Sequence, residues 1–410
     1  MLTLLHKQLL KTIITILFTG FFLVCASVAK SQPGYSTETN YVVYFGDTIL
    51  FKKTLIANTK YGIDDVEIAR FYTEMNKTEF KAVTDVLLNY KNKNQLDDWL
   101  FYQLIRRTAQ QLSSKYLNYN NYTLCKWFLL VKCGYDAKLA FVNNKLLFYV
   151  QSNDNIYDIP LFNLNGKQYV CLNSHDFEKI DFQQNELKEV NIKIADATKN
   201  FSFKIKNIPD FKESISSNKD LIFLYNNNEN KYSIAINDQM GKVFNNYPSV
   251  DFESYFNIPL SNQTYKSLIP QLKKHVAKMK QVDAIDYLMQ FTRNAFLYEN
   301  DQENFGVEKR LSPELTLMNK YSDCDDRAAL FYYLVKEMYD LPMIIMVFPT
   351  HVAVAVNLDK PVGFAINYNG KKYSVCEPTP QKINLSIGEL MPEMYKTTYE
   401  IAFAYLPTSK

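Results

Sequence analysis

The chain has 410 residues, so two or three domains are expected at roughly 100–200 residues each. Hydrophobic residues make up 47% and charged residues 22%, which excludes a disordered chain, and Gly 11 with Pro 14 excludes collagen-like and Gly-rich linker architectures. Lys+Arg 46 against Asp+Glu 43 gives +3 with no long basic run, so nucleic-acid binding has no electrostatic footprint.

The first element is a targeting segment. His6, Lys7 and Lys11 precede an apolar run from Ile13 to Val24, and small residues follow in Ala26-Ser27-Val28-Ala29. A basic start, a short apolar core and an A-x-A-like exit predict a signal peptide over 1–29 and an exported, periplasmic or extracellular protein. The alternative, a lipoprotein anchored at Cys25, is disfavoured by the bulk of Val24. No other run of 18 or more apolar residues occurs, so no integral membrane segment is expected in the mature chain.

Strand-like alternation marks 33–60, within an N-terminal β/helical segment over 33–80. Helices are predicted at Leu96–Leu112 and from about Tyr122 to Lys132. Strands follow at Lys138–Val142, Leu146–Val150 and near Gln168–Leu172. Residues 181–262 alternate and are rich in aromatics, which predicts a β-rich connector with a turn at Asn226–Asn230. Helices return at about Gln263–Met279 and Ala284–Phe296. A further helix runs from Cys324 to about Tyr339, then strands at Met343–Phe348, from His351 to Val356, and from Lys372 through the Asn369-Gly370 turn.

The last third repeats the first. Leu130-Val131-Lys132 and Tyr135-Asp136 recur 204 residues on as Leu334-Val335-Lys336 and Tyr339-Asp340. Asn165-Gly166-Lys167 and Tyr169 recur at the same offset as Asn369-Gly370-Lys371 and Tyr373. One helix–strand–strand–hairpin unit used twice explains both blocks. At this offset Cys324 faces Asn120 and His351 faces Leu147, so the first copy lacks the second copy's reactive groups.

Cys125, Cys133, Cys171, Cys324 and Cys376 remain in the mature chain, an odd count that does not read as a disulfide framework. With three mature histidines and no CxxC or HExxH, no metal site and no cofactor are expected. The reactive groups gather in the second copy. Ser322 or Asp323 caps a helix that puts Cys324 at its N-terminus, where free N–H groups favour a thiolate. Asp323, Asp325 and Asp326 oppose that, so the sign of the net effect is open. His351 starts a strand, and Glu377 ends one before Pro378. Nucleophile, base and orienting carboxylate thus follow in order. Cys376 points away from Glu377 by alternation and is expected in the core.

Ser322-Asp323-Cys324-Asp325-Asp326-Arg327-Ala328, Thr350-His351-Val352-Ala353-Val354-Ala355-Val356 and Cys376-Glu377-Pro378-Thr379 resemble the bacterial secreted transglutaminase-like (papain-like cysteine) superfamily. The resemblance covers about Ala284–Pro380. It implies Cys324 as nucleophile, His351 as base and Glu377 as the third member. Two residues depart from the pattern: Glu377 stands where the family usually has Asp, and Ser322 where it often has Gly. The longer Glu377 predicts a strand set back, or a His–carboxylate bond off geometry. Tyr321 and Gln302 are the candidate oxyanion partners.

The expected fold is α+β. A transglutaminase-like domain spans 263–410 and a degenerate related copy spans 81–180. The expected activity is cysteine-dependent acyl transfer on a peptide or protein substrate, by hydrolysis or transamidation. The alternative is a non-catalytic cell-envelope binding protein that keeps the fold.

Overall fold

The computed structural model describes residues 39–407 except 53–59, 178–179, 181–185, 193, 195, 211, 213–215 and 307–308. The targeting segment and Cys25 lie outside the described residues. β1 (Thr39–Tyr44) and β2 (Asp47–Lys52) form an antiparallel hairpin. Alternation decides its faces: Val42, Tyr44, Ile49 and Phe51 are buried, while Tyr41, Val43 and Leu50 are exposed. Four helices follow, α1 (Asp65–Asn76), α2 (Phe80–Lys93), α3 (Asp98–Leu112) and α4 (Tyr119–Lys132). The two apolar helices, α3 and α4, match the predicted ones. α1 and α2 bury only narrow stripes, such as Ile68, Phe71 and Met75, and have weak sequence signals.

The first sheet comprises β3 (Ala137–Val142), β4 (Lys145–Gln151), β6 (Leu161–Leu164), β7 (Lys167–Cys171) and β8 (Lys188–Glu189). β5 (Ile156–Tyr157) lies outside it and pairs with β11 (Ser249–Val250). Between the sheets, regular strands are fewer than predicted. They amount to the long hairpin β9 (Ser216–Tyr225) and β10 (Asn228–Asn237) plus short pieces, alongside the short helices α5 (Gln239–Val243) and α6 (Phe252–Phe256). The hairpin turn is Asn226-Asn227, both at positive φ, and Asn228 already pairs with Tyr225.

The second half begins with α7 (Asn262–Val276) and α8 (Gln281–Asn294). β12 (Leu297–Tyr298), α9 (Asp301–Asn304), α10 (Pro313–Met318) and β13 (Tyr321–Ser322) lead into α11 (Cys324–Tyr339). The second sheet is built from β14 (Met343–Phe348), β15 (His351–Val356), β16 (Ala365–Tyr368), β17 (Lys371–Cys376) and β18 (Glu400–Tyr405).

The two five-stranded sheets have the same order, β6-β7-β4-β3-β8 and β16-β17-β15-β14-β18. Every pairing within them is antiparallel, and both curl into half-barrels. The chain is therefore mixed, with helices packed on one face of each sheet. Met343, Ile345, Val352 and Val354 face a continuous core that extends from the β1–β2 hairpin through both halves. Ile344, Met346, Ala353 and Ala355 face a smaller cluster on the sheet's other side. Burial on both faces explains why β14 and β15 read as near-continuous apolar runs. Among the described residues, no helix is long and apolar enough to cross a membrane.

Candidate functional site

Cys324 is the first residue of α11. Asp323 caps the helix, accepting from the Asp326 amide at 3.5 Å. α11 packs against β15, and the Val352 amide lies near enough to the Cys324 sulfur to favour its thiolate. The thiol therefore lies beside the peptide that follows His351. His351 is the first residue of β15, paired with Phe348 across the Pro349-Thr350 turn.

Glu377 follows β17 directly and is fully buried. Its Oε2 lies 2.7 Å from His351 Nε2, and its Oε1 accepts from the Thr379 amide at 2.9 Å. The longer side chain thus reaches the ring at good distance, so of the two expected alternatives the off-geometry bond is not the one seen. With Nε2–H donating to the carboxylate, the ring keeps the Nδ1 lone pair for another proton. Arg293 fixes the Glu377 backbone, donating to its carbonyl through Nε at 3.1 Å and also through Nη2. Arg327, wholly buried, donates to the carbonyls of Ser322, Thr292, Arg293 and Phe296. These bonds tie the entry to α11 to the end of α8.

The structure also signs the effect that the sequence leaves open. The Cys324 thiol is pushed up, first by burial and then by Asp325 and Asp323, while the Val352 amide pulls it down. Burial and the two carboxylates thus favour the thiol over the thiolate. Among the described residues no hydrogen bond joins Cys324 to His351, whose ring bonds Glu377.

Tyr298 is a neighbour that sequence reasoning missed. It pairs with Ser322 in the short parallel bridge of β12 and β13. Its phenol is held up by burial and then by the field of Cys324. Nothing in a two-residue strand announces this; only the pairing brings it there. The earlier candidates make other contacts. Gln302 donates to the Gly306 carbonyl at 3.0 Å, and the Tyr321 ring carries the Lys320 ammonium 5.0 Å from its centroid.

Asp301, Asp323 and Asp326 are buried, each offering a carboxylate oxygen within 4.8 Å of the others. Asp326 Oδ1 accepts from the Leu311 amide at 2.7 Å and the Tyr255 hydroxyl at 2.9 Å, and its Oδ2 has no hydrogen-bond partner. Oxygen ligands at this spacing can hold a hard cation. Burial raises the pKa of Asp323 and Asp326, favouring proton retention there otherwise. Asp323 is also the cap of α11, with Asp325 and Asp326 in its first turn.

The first sheet carries different residues at the corresponding places. Tyr119 opens α4 behind the cap Asn118, Lys145 opens β4 after the Asn143-Asn144 turn, and Asn173 lies just past β7. By position in the fold, Cys324 thus matches Tyr119 rather than Asn120, and His351 matches Lys145 rather than Leu147. α11 is two residues longer than α4, while the link to the first strand, the second strand and the link on to β17 are each one residue shorter than in the first half, so no constant offset fits every matched element. Cys125, Cys171 and Cys376 are buried and free, and Cys133 is free and half-buried.

No family model, no curated protein and no solved structure matches the chain.

Proposed function

We propose that this is an exported enzyme of transglutaminase-like fold that carries out cysteine-dependent acyl transfer on peptide or protein amides. Cys324 attacks the amide carbonyl and His351 takes the thiol proton. Glu377 fixes the ring and stabilises the imidazolium. The proton then passes to the leaving amine, and water or an amine resolves the thioester. The observation that carries this reading is the 2.7 Å His351–Glu377 bond on the strand against which the Cys324 helix packs. Tyr298 is the proposed donor to the developing oxyanion. The shared sheet order supports an internal duplication, with the first copy inert.

The raised thiol favours a second reading, a binding protein of the cell envelope that keeps the fold without turnover. One experiment separates them. The mature protein is treated with p-nitrophenyl acetate and with iodoacetamide across pH, and Cys324 is read by peptide mass spectrometry. Acetylation of Cys324 at pH 7 that falls in His351→Ala and Glu377→Gln establishes a working base. Slow labelling of Cys324, unchanged in both variants and rising only with alkali, leaves the binding protein.

A further inference from the structure

A cavity of about 570 Å³ lies far along the chain from Cys324, between β1, α3 and the end of α5. One stripe of α3 forms its floor: Gln103, Arg106, Arg107 and Gln110 recur at helical spacing. Lys242 closes one side, and Tyr41 with Val43 forms an apolar wall. Among the described residues no carboxylate lines it.

Three cations gathered in one cavity repel one another, and Asp176, the acid whose field reaches Arg106, is already paired with Lys115. The arginines are also positioned. Arg106 donates to Gln103 Oε1 at 3.0 Å and sits over the Tyr102 ring. Arg107 donates to the Val43 carbonyl at 3.3 Å and sits 5.3 Å from the Tyr44 centroid. Each guanidinium has five N–H donors, so most point elsewhere. The second observation is independent of charge. Gln103 is 5% exposed, and its Nε2 is buried with no hydrogen-bond partner. The Arg106 bond fixes the amide orientation, because the reverse would set two donors face to face. A buried unpaired amide donor carries a desolvation penalty, which a bound acceptor removes.

We infer that this cavity binds a small organic anion, a carboxylate or phosphate whose oxygens meet Arg106, Arg107, Lys242 and Gln103 Nε2 and whose apolar part lies on Tyr41 and Val43. This assigns a ligand-binding role to the half of the molecule without the cysteine. It does not depend on the chemistry proposed at Cys324.

Calorimetric titration of the mature full-length protein at low ionic strength tests it, with inorganic phosphate, N-acetylphenylalanine and N-acetylphenylalanine amide as probes. Binding of either anion but not of the amide is expected. The two anions distinguish a phosphate site from a carboxylate site. Gln103→Glu keeps the acceptor for Arg106 and replaces the unpaired donor by a charge, so it should weaken binding at least tenfold. Lys242→Gln, on the rim, should weaken it severalfold without touching the fold. Absence of binding by both anions overturns the proposal. So does binding unchanged in Gln103→Glu and Lys242→Gln, or equal binding of the amide.

Discussion

The two curled sheets place different chemistry on the same scaffold. Past β17, Glu377 gives one carboxylate oxygen to a backbone amide and the other to the His351 ring. Past β7, Asn173 is spent on structure. It accepts from the Phe148 amide at 2.8 Å and donates to the Leu146 carbonyl at 2.9 Å and the Tyr119 hydroxyl at 2.8 Å. Both groups are buried and satisfied. Only the carboxylate holds a titratable ring whose second nitrogen remains available. A buried polar residue at this corner is thus a requirement of the fold, while its identity decides whether the corner can move protons.

The sharpest test of that contrast is Glu377→Gln. The amide keeps the volume and an acceptor for Thr379, but it cannot stabilise an imidazolium. Acylation of Cys324 should fall about 10²–10⁴-fold, the range for loss of acid–base function. Rates within threefold of the parent would mean that the carboxylate serves only packing. The mirror variant, Asn173→Ala, strands the Phe148 amide and Leu146 carbonyl in the interior. It should lower stability by about 3 kcal/mol in denaturant unfolding and leave Cys324 acylation unchanged. Altered acylation would show that the halves are coupled.

A difference in buried charge follows. α4 carries Lys126, fully buried, with its ammonium 4.5 Å from the Tyr122 centroid and no hydrogen bond to any described residue. Burial lowers its pKa from 10.5 to about 7, partly opposed by Asp176. Between those values the unfolded chain holds a proton that the folded one lacks, so stability rises with pH over that window. Lys126→Met should remove the slope and stabilise the protein at pH 7 by about 1–3 kcal/mol, the lost ring contact offsetting part of the gain. A pH–stability profile parallel to the parent's would refute the neutral buried lysine.

Much of this architecture was legible because it rests on period. β14 and β15 are apolar runs bounded by Pro349-Thr350, α11 starts at an acidic cap, and Asn369-Gly370 marks its hairpin. Cys324, His351 and Glu377 were found by their order along those elements. What failed needs three dimensions. Tyr298 comes beside Ser322, two residues before the cysteine, through a two-residue parallel bridge, and the register between halves slips because helix and link lengths differ in opposite directions. Nor does local pattern say that a strand-end glutamate is wholly buried, because burial comes from the Arg293 bonds and the segment beyond.

The smallest effects distinguish the two hairpin turns that deliver Lys145 and His351. Asn143 and Asn144 both have positive φ, at 47° and 59°, the primed turn that matches strand twist. Glycine takes that conformation without strain, so Asn144→Gly should be neutral to stabilising, by less than about 1 kcal/mol. Pro349 and Thr350 have no positive φ. Glycine at Thr350 therefore relieves nothing and adds freedom to the unfolded chain, so Thr350→Gly should lower stability by about 0.5–1 kcal/mol. It should also loosen the start of β15, read as faster amide exchange at Val352. Opposite signs in the two variants would show that the first hairpin is held by turn chemistry. They would also show that the second is held by proline rigidity, which aims the His351 ring at Glu377. Equal signs would remove the turn as the reason the halves present different residues so differently.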